Sequence, residues 1–181
     1  MINERKHAMS DTITLVERDA VHALSISDVV KTMQLGKVMG PAYEEIMATL
    51  DNQKIELAQE DIPFCLYKKI DWNSFDQKGI VATVKMMFFR KWHLNMGIPC
   101  PETAQASGRA KKITLEAGRY IRAIHNGPYM KVSNTYDKMR AFATKEKLEL
   151  NDFSIEFYRN DPRKVAPKDL ETEILVPVLK K

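Results

Sequence analysis

Ser154-Ile155-Glu156-Phe157-Tyr158-Arg159-Asn160-Asp161-Pro162 is the stretch on which the reading of this chain turns. The run alternates apolar and polar side chains over a β-branched and aromatic backbone, which predicts a strand. Asn160-Asp161-Pro162 then starts a turn. Side chains alternate across a sheet, so Ile155 and Phe157 share one face while Glu156 and Tyr158 share the other. Ile155 and Phe157 are expected to pack under a helix. If helices cover one face only, Glu156 and Tyr158 look into a groove on the other.

Working outward, the chain divides into two halves with one order of elements. Strands are read at Ile13 to Val16 and Val21 to Ser27. A helix from Pro41 to Asn52 presents Tyr43, Ile46, Met47 and Leu50 on one face. Pro41 suits its first turn. Strands at Phe64 to Ile70 and Gly79 to Phe89 complete the first half. In the second half, strands open at Ile113-Thr114-Leu115 and Arg119 to His125, broken by Gly127-Pro128. A helix follows from about Lys131 to Glu146, with Tyr136, Met139, Arg140 and Ala143 on one face. Strands at Phe153 to Asn160 and Glu171 to Leu179 close the chain, around a Pro-rich charged loop at Asp161 to Asp169.

Short identities support a duplication. Ile13-Thr14-Leu15 matches Ile113-Thr114-Leu115 at an offset of 100 residues, and Val21 to Leu24 matches Ile121 to Ile124 at the same offset. At an offset of 93, Tyr43 matches Tyr136 and Lys54 to Leu57 matches Lys147 to Leu150. The expected organisation is a loose tail over 1–12 and one domain over 13–181. That domain comprises a first repeat at about 13–89, an irregular crossover linker at 90–112 and a second repeat at about 113–180. Pro63 to Tyr67 is the first-half counterpart of the Glu156 strand. By alternation Phe64 and Leu66 go to the core, while Cys65 and Tyr67 face the groove. In the last strand Ile174, Val176 and Val178 go to the core, and Glu173 and Leu175 point away from it.

Composition narrows the function classes. The 181 residues carry a net charge of +4, with 44% hydrophobic and 29% charged residues, as an ordinary globular chain does. The basic residues are scattered rather than gathered into the stripe of a nucleic-acid reader. Two cysteines, Cys65 and Cys100, make no disulfide framework and no metal spacing. The four histidines have no ligand spacing. These features point to a reduced, cytoplasmic chain without cofactor or metal. No apolar window reaches the ~18 residues of a membrane span.

Several motifs have a familiar form: Gly97-Ile98-Pro99, Leu115 to Tyr120, His125-Asn126-Gly127-Pro128-Tyr129, Ile155 to Pro162 and Leu170 to Val178. Together they resemble the gyrase-inhibitor-like (GyrI-like) family, the effector-binding module of AraC-type and MerR-type bacterial regulators. The resemblance spans roughly residues 13 to 180, with its sharp motifs from Gly97 onward. It implies an α+β fold of duplicated strand-helix-strand-strand units. These form a pseudo-twofold antiparallel sheet with helices on one face and a ligand groove on the other.

The resemblance also implies that Glu156 is the acidic residue that meets cationic ligands and that Tyr158 is an aromatic partner. Tyr67, Cys65, Leu175 and Trp92 complete the expected lining. Phe88 and Phe89 stand beside Trp92 as either groove wall or core, and the many methionines read as core filler. Tyr129 is assigned to the strand-to-helix turn rather than to ligand. Read without the resemblance, Glu156 is a partner for a neighbouring Lys or Arg.

The expected function is a stand-alone binder of amphipathic aromatic or cationic small molecules, such as a drug or effector. Only about twelve residues precede the domain, too few for DNA-binding helices, so no direct DNA contact is expected. The alternative is a hydrolase of reactive cyclopropane-bearing xenobiotics that uses Glu156 and Tyr158 on water. A protein partner, as in gyrase inhibition, ranks below both.

Overall fold

The computed structural model describes residues 12–73 and 90–179. The expected tail over 1–12, the strand read at 79–89, and Phe88, Phe89, Met86 and Met87 lie outside those residues, Thr12 apart. The first half contains β1 (Thr14–Arg18), β2 (Val21–Lys31), α1 (Leu35–Asn52), β3 (Phe64–Lys68) and β4 (Lys91–Pro99). The second contains β5 (Lys111–Leu115), β6 (Gly118–Asn126), α2 (Val132–Lys145), β7 (Ser154–Tyr158) and β8 (Glu171–Pro177). The eight strands form one antiparallel sheet in the order β1-β6-β8-β7-β3-β4-β2-β5. The architecture is the duplicated α+β arrangement that the repeat predicts. No helix among the described residues is long and apolar enough to cross a membrane.

The opening strand of each half is exchanged. β1 pairs with β6 of the second half, and β5 pairs with β2 of the first. The registers carry the 100-residue offset: Thr14 faces Arg122, and His22 faces Thr114. The exchange also forces the sheet to curl. Only residues 19–20 join β1, at one edge, to β2, next to the other edge. In a flat sheet those strands lie about 29 Å apart at ~4.8 Å per strand. Three Cα steps reach at most ~11 Å. The edges must therefore converge, and the inner face closes on itself.

That inner face is a core without helices. Ala23, Phe64, Leu66, Leu115, Tyr120, Ile155, Phe157 and Leu175 form one cluster drawn from both halves. Gly97 is essential to it: a Cβ there would sit 2.4 Å from Phe64 Cζ and 3.0 Å from the Leu24 carbonyl oxygen. The outer face carries the helices and splits into two cores. α1 covers Leu24, Ile26, Leu94, Met96 and Ile98 with Ala42, Ile46 and Leu50. α2 covers Ile121, Ala123, Ile174 and Val176 with Tyr136, Met139 and Ala143.

Three expectations change. α1 begins six residues before Pro41, which lies inside the helix. Pro41 is expected in the first turn, yet Leu35, Val38 and Met39 pack on the first-half core and hold the preceding turn helical. Met47, expected on the buried helix face, is 39% exposed, because the stripe Ala42–Ile46–Leu50 faces the sheet instead. The segment 90–112 is not an irregular linker, since 91–99 is β4, paired with both β2 and β3. Its Trp92, Leu94, Met96 and Ile98 alternate as a strand should, but Gly97 and Pro99 masked the pattern.

Candidate functional site

The two halves meet at β3 and β7, the central pair of the sheet. Phe64 faces Phe157, Cys65 faces Glu156, Leu66 faces Ile155 and Tyr67 faces Ser154. Directly opposed residues project to the same side. Cys65, Tyr67, Ser154, Glu156 and Tyr158 therefore share a face, as the alternation predicts. That face is the helix-covered one, which reverses the expected placement. Ile155 and Phe157 are buried in the helix-free core, at 2% and 5% exposure. Alternation fixes which residues share a face but not which face the helices cover. Here the curl buries both.

Glu156 consequently lies beneath the helices and is 7% exposed. Tyr136, from α2, donates its hydroxyl to Glu156 Oε1 at 2.8 Å. Ser154 Oγ lies 2.9 Å from the same hydroxyl. Tyr158 donates to Oε2 at 3.3 Å, and the Tyr67 hydroxyl lies 3.2 Å from that of Tyr158. Burial pushes the Glu156 carboxyl up to about 7, while hydrogen bonds from Tyr136, Tyr158 and Tyr67 pull it back down. Burial and the Glu156 charge hold the Tyr136 and Tyr67 hydroxyls well above their ordinary range, so both remain protonated donors. Burial, then the Glu156 charge, does the same to the Cys65 thiol.

Aromatic rings enclose the carboxylate. Tyr43, from α1, donates its hydroxyl to the Phe64 carbonyl at 2.9 Å and meets the Tyr158 ring edge-on at 6.5 Å. Tyr129, in the turn before α2, meets Tyr158 at 5.7 Å. Trp92 reaches the assembly through Tyr67, with ring centroids 5.6 Å apart. The expected open groove is thus a closed, phenol-lined cage. Its rings pack on one another, as aromatic pairs at these spacings do.

Of the expected lining, Glu156, Tyr158, Tyr67 and Cys65 come together, and Trp92 joins at the outer end. Leu175 does not. It faces Ile155 across β7 and β8 and is buried in the helix-free core. The residue that faces Glu156 from β8 is Ile174. Tyr43, Tyr136 and Tyr129 were missed. Tyr43 and Tyr136 hold equivalent positions in the two repeats, and a buried tyrosine needs a polar partner for its hydroxyl. That requirement was the available signal. Tyr129 lacked one, because only the folded turn brings it to Tyr158.

A second buried glutamate provides the contrast. Glu173, on the inner face of β8, meets Arg122 at 2.6 Å, Arg18 at 3.3 Å and Arg159 at 3.5 Å. Among the described residues no cation pairs with Glu156. A buried carboxylate held only by neutral donors is costly to keep ionised. Glu156 is thus a buried acid surrounded by phenols, with Tyr136 and Tyr158 as its hydrogen-bond donors.

Comparison with known proteins bears on the family and the fold. The family model described as the GyrI-like small molecule binding domain matches residues 12–179. The fold is similar to the EcmrR C-terminal domain, with a TM-score of 0.75 at 20% identity, covering 96% of this chain and 100% of that one. Against EcmrR in its DNA complex the TM-score is again 0.75 at 19% identity, with 97% of this chain and 60% of that chain covered. This chain thus spans about three-fifths of the length of that EcmrR chain. A hydrolase from Listeria innocua encoded by lin2189 aligns with a TM-score of 0.66 at 16% identity, covering 96% of this chain and 94% of that one. SAV2435 bound to tetraphenylphosphonium aligns with a TM-score of 0.61 at 13% identity, covering 93% and 94%. No curated protein sequence matches the chain.

Proposed function

Since the chain belongs to the GyrI-like small molecule binding domain family, we propose that its ligands are amphipathic aromatic cations, held over β3 and β7 with Glu156 as counter-charge. Residues 13–181 act as one binding domain. The observation that carries this reading is the asymmetry between Glu173, which meets three guanidinium groups, and Glu156, which meets only phenols. A cation entering the cage completes the charge balance that the fold leaves open. The Tyr158, Tyr67 and Tyr43 rings each add ~0.5–2 kcal/mol of cation–π attraction where they face it. SAV2435, a relative of the same fold, is bound to tetraphenylphosphonium, a cation of this class.

The test is calorimetric titration with tetraphenylphosphonium and with triphenylphosphine oxide, a neutral aromatic of similar build. Glu156→Gln keeps the shape and removes the charge. Affinity for the cation is expected to fall tenfold or more, from loss of a charge-assisted contact worth ~1.5–3 kcal/mol. Affinity for the neutral compound should change little. Unchanged cation affinity would remove Glu156 from the site.

A second reading is hydrolysis of reactive cyclopropane-bearing xenobiotics. One observation favours it: a carboxyl at about 7 beside protonated phenols is suited to general acid–base work near neutral pH. Under that reading Glu156→Gln loses turnover at saturating substrate, whereas a binder loses affinity alone.

A further inference from the structure

The aromatic wall that ends at Glu156 already carries a cation at its other end. The Arg90 guanidinium carbon lies 4.2 Å from the centroid of the Trp92 ring, well within the ~6 Å reach of a cation–π contact. Trp92 is fixed in place, since its indole N–H donates to Thr32 Oγ1 at 2.9 Å and its ring abuts Tyr67 at 5.6 Å. Tyr67 in turn touches Tyr158 and supports Glu156. Arg90 is half-buried, and the charge that favours its ionised form is Asp71 rather than Glu156. A guanidinium does not deprotonate in a protein, so its charge is permanent. Arg90 therefore occupies the wall without neutralising the carboxylate behind it.

We propose that Arg90 is a resident cation on the outer wall of the cage, which an incoming aromatic cation displaces from Trp92. This rests on the reading of the Glu156 cage as a cation site. Two cations cannot share one ring face without repulsion, so entry requires an exchange. A large lipophilic cation covers more ring surface than a guanidinium and gives up less hydration, so it wins the exchange. A small hydrated cation does not. Arg90 thereby sets both the affinity threshold and the preference for bulky, apolar cations.

The experiment titrates the full chain with tetraphenylphosphonium and with tetramethylammonium. Arg90→Met keeps an apolar cover over the indole and removes the charge, while Arg90→Lys retains it. Arg90→Met is expected to bind tetraphenylphosphonium at least fivefold more tightly than wild type and to gain measurable affinity for tetramethylammonium. Arg90→Lys should stay within twofold of wild type. Should Arg90→Met not fold, Arg90→Gln also removes the charge and carries the same expectation. Equal or weaker binding in the charge-removing variant, with Glu156→Gln still losing affinity, overturns the role of Arg90 and leaves the cage reading intact. Absence of binding in both wild type and the charge-removing variant overturns both. Binding in that variant alone supports the exchange.

Discussion

Glu156→Gln is expected to make the protein more stable at pH 8 while weakening it as a receptor. The Glu156 carboxyl is raised from 4.5 to about 7 in the folded chain, chiefly by burial. The unfolded chain therefore releases this proton at lower pH than the folded chain does. The stability it contributes is fully present below about pH 4.5 and is lost as pH rises through about 7. At about 1.4 kcal/mol per pH unit, the loss is roughly 3 kcal/mol by pH 8. Glutamine has no charge to desolvate. Its carbonyl oxygen still accepts from Tyr136, and its amide still finds the Tyr158 and Tyr67 hydroxyls. For a domain of this size, with 2–4 °C per kcal/mol, the variant should melt about 6–12 °C above wild type at pH 8. The gap should close by pH 4.5. Thermal melts of both proteins across pH 4.5–8 check this, since every other titrating group cancels in the difference. A lower melting temperature for the variant at pH 8, or a gap independent of pH, would refute the account of Glu156 as an uncompensated buried acid.

Leu175→Ala should cost about 2–5 kcal/mol of stability while leaving tetraphenylphosphonium affinity unchanged, because Leu175 faces the helix-free core; denaturant melts and titration together check it. Gly97→Ala should cost about 1–3 kcal/mol from overpacking, since its Cβ meets Phe64 Cζ at 2.4 Å. Chemical denaturation measures the loss, and Phe64→Leu in the same chain should recover part of it.

Much of the fold was legible because it depends on local periodicity. Period-two alternation located β7 and paired Glu156 with Tyr158 on one face. The 3.6-residue period located α2 and put Tyr136 beside Met139. The 100-residue offset foretold the equivalence that reappears in the Thr14–Arg122 and His22–Thr114 registers. Local signals failed where tertiary packing overrode them. Pro41 sits within α1 because the turn before it packs on the first-half core, and β4 forms through Gly97 because Phe64 needs that space.

The sequence alone thus determined the repeat, the strand faces and the presence of an acid among aromatic residues. Tertiary structure decided which face the helices cover, and so whether Glu156 stands open or enclosed. The exchange of β1 and β5 through two-residue links curls the sheet and makes Ile155, Phe157 and Leu175 an inner core that needs no helix. It also leaves the outer face to α1 and α2, which bring Tyr43 and Tyr136 over Glu156. The physical reason is that alternation is a property of one strand, known from its neighbours in sequence. Burial is a property of the closed sheet, set by pairings between residues far apart in the chain, such as Thr14 with Arg122 and His22 with Thr114.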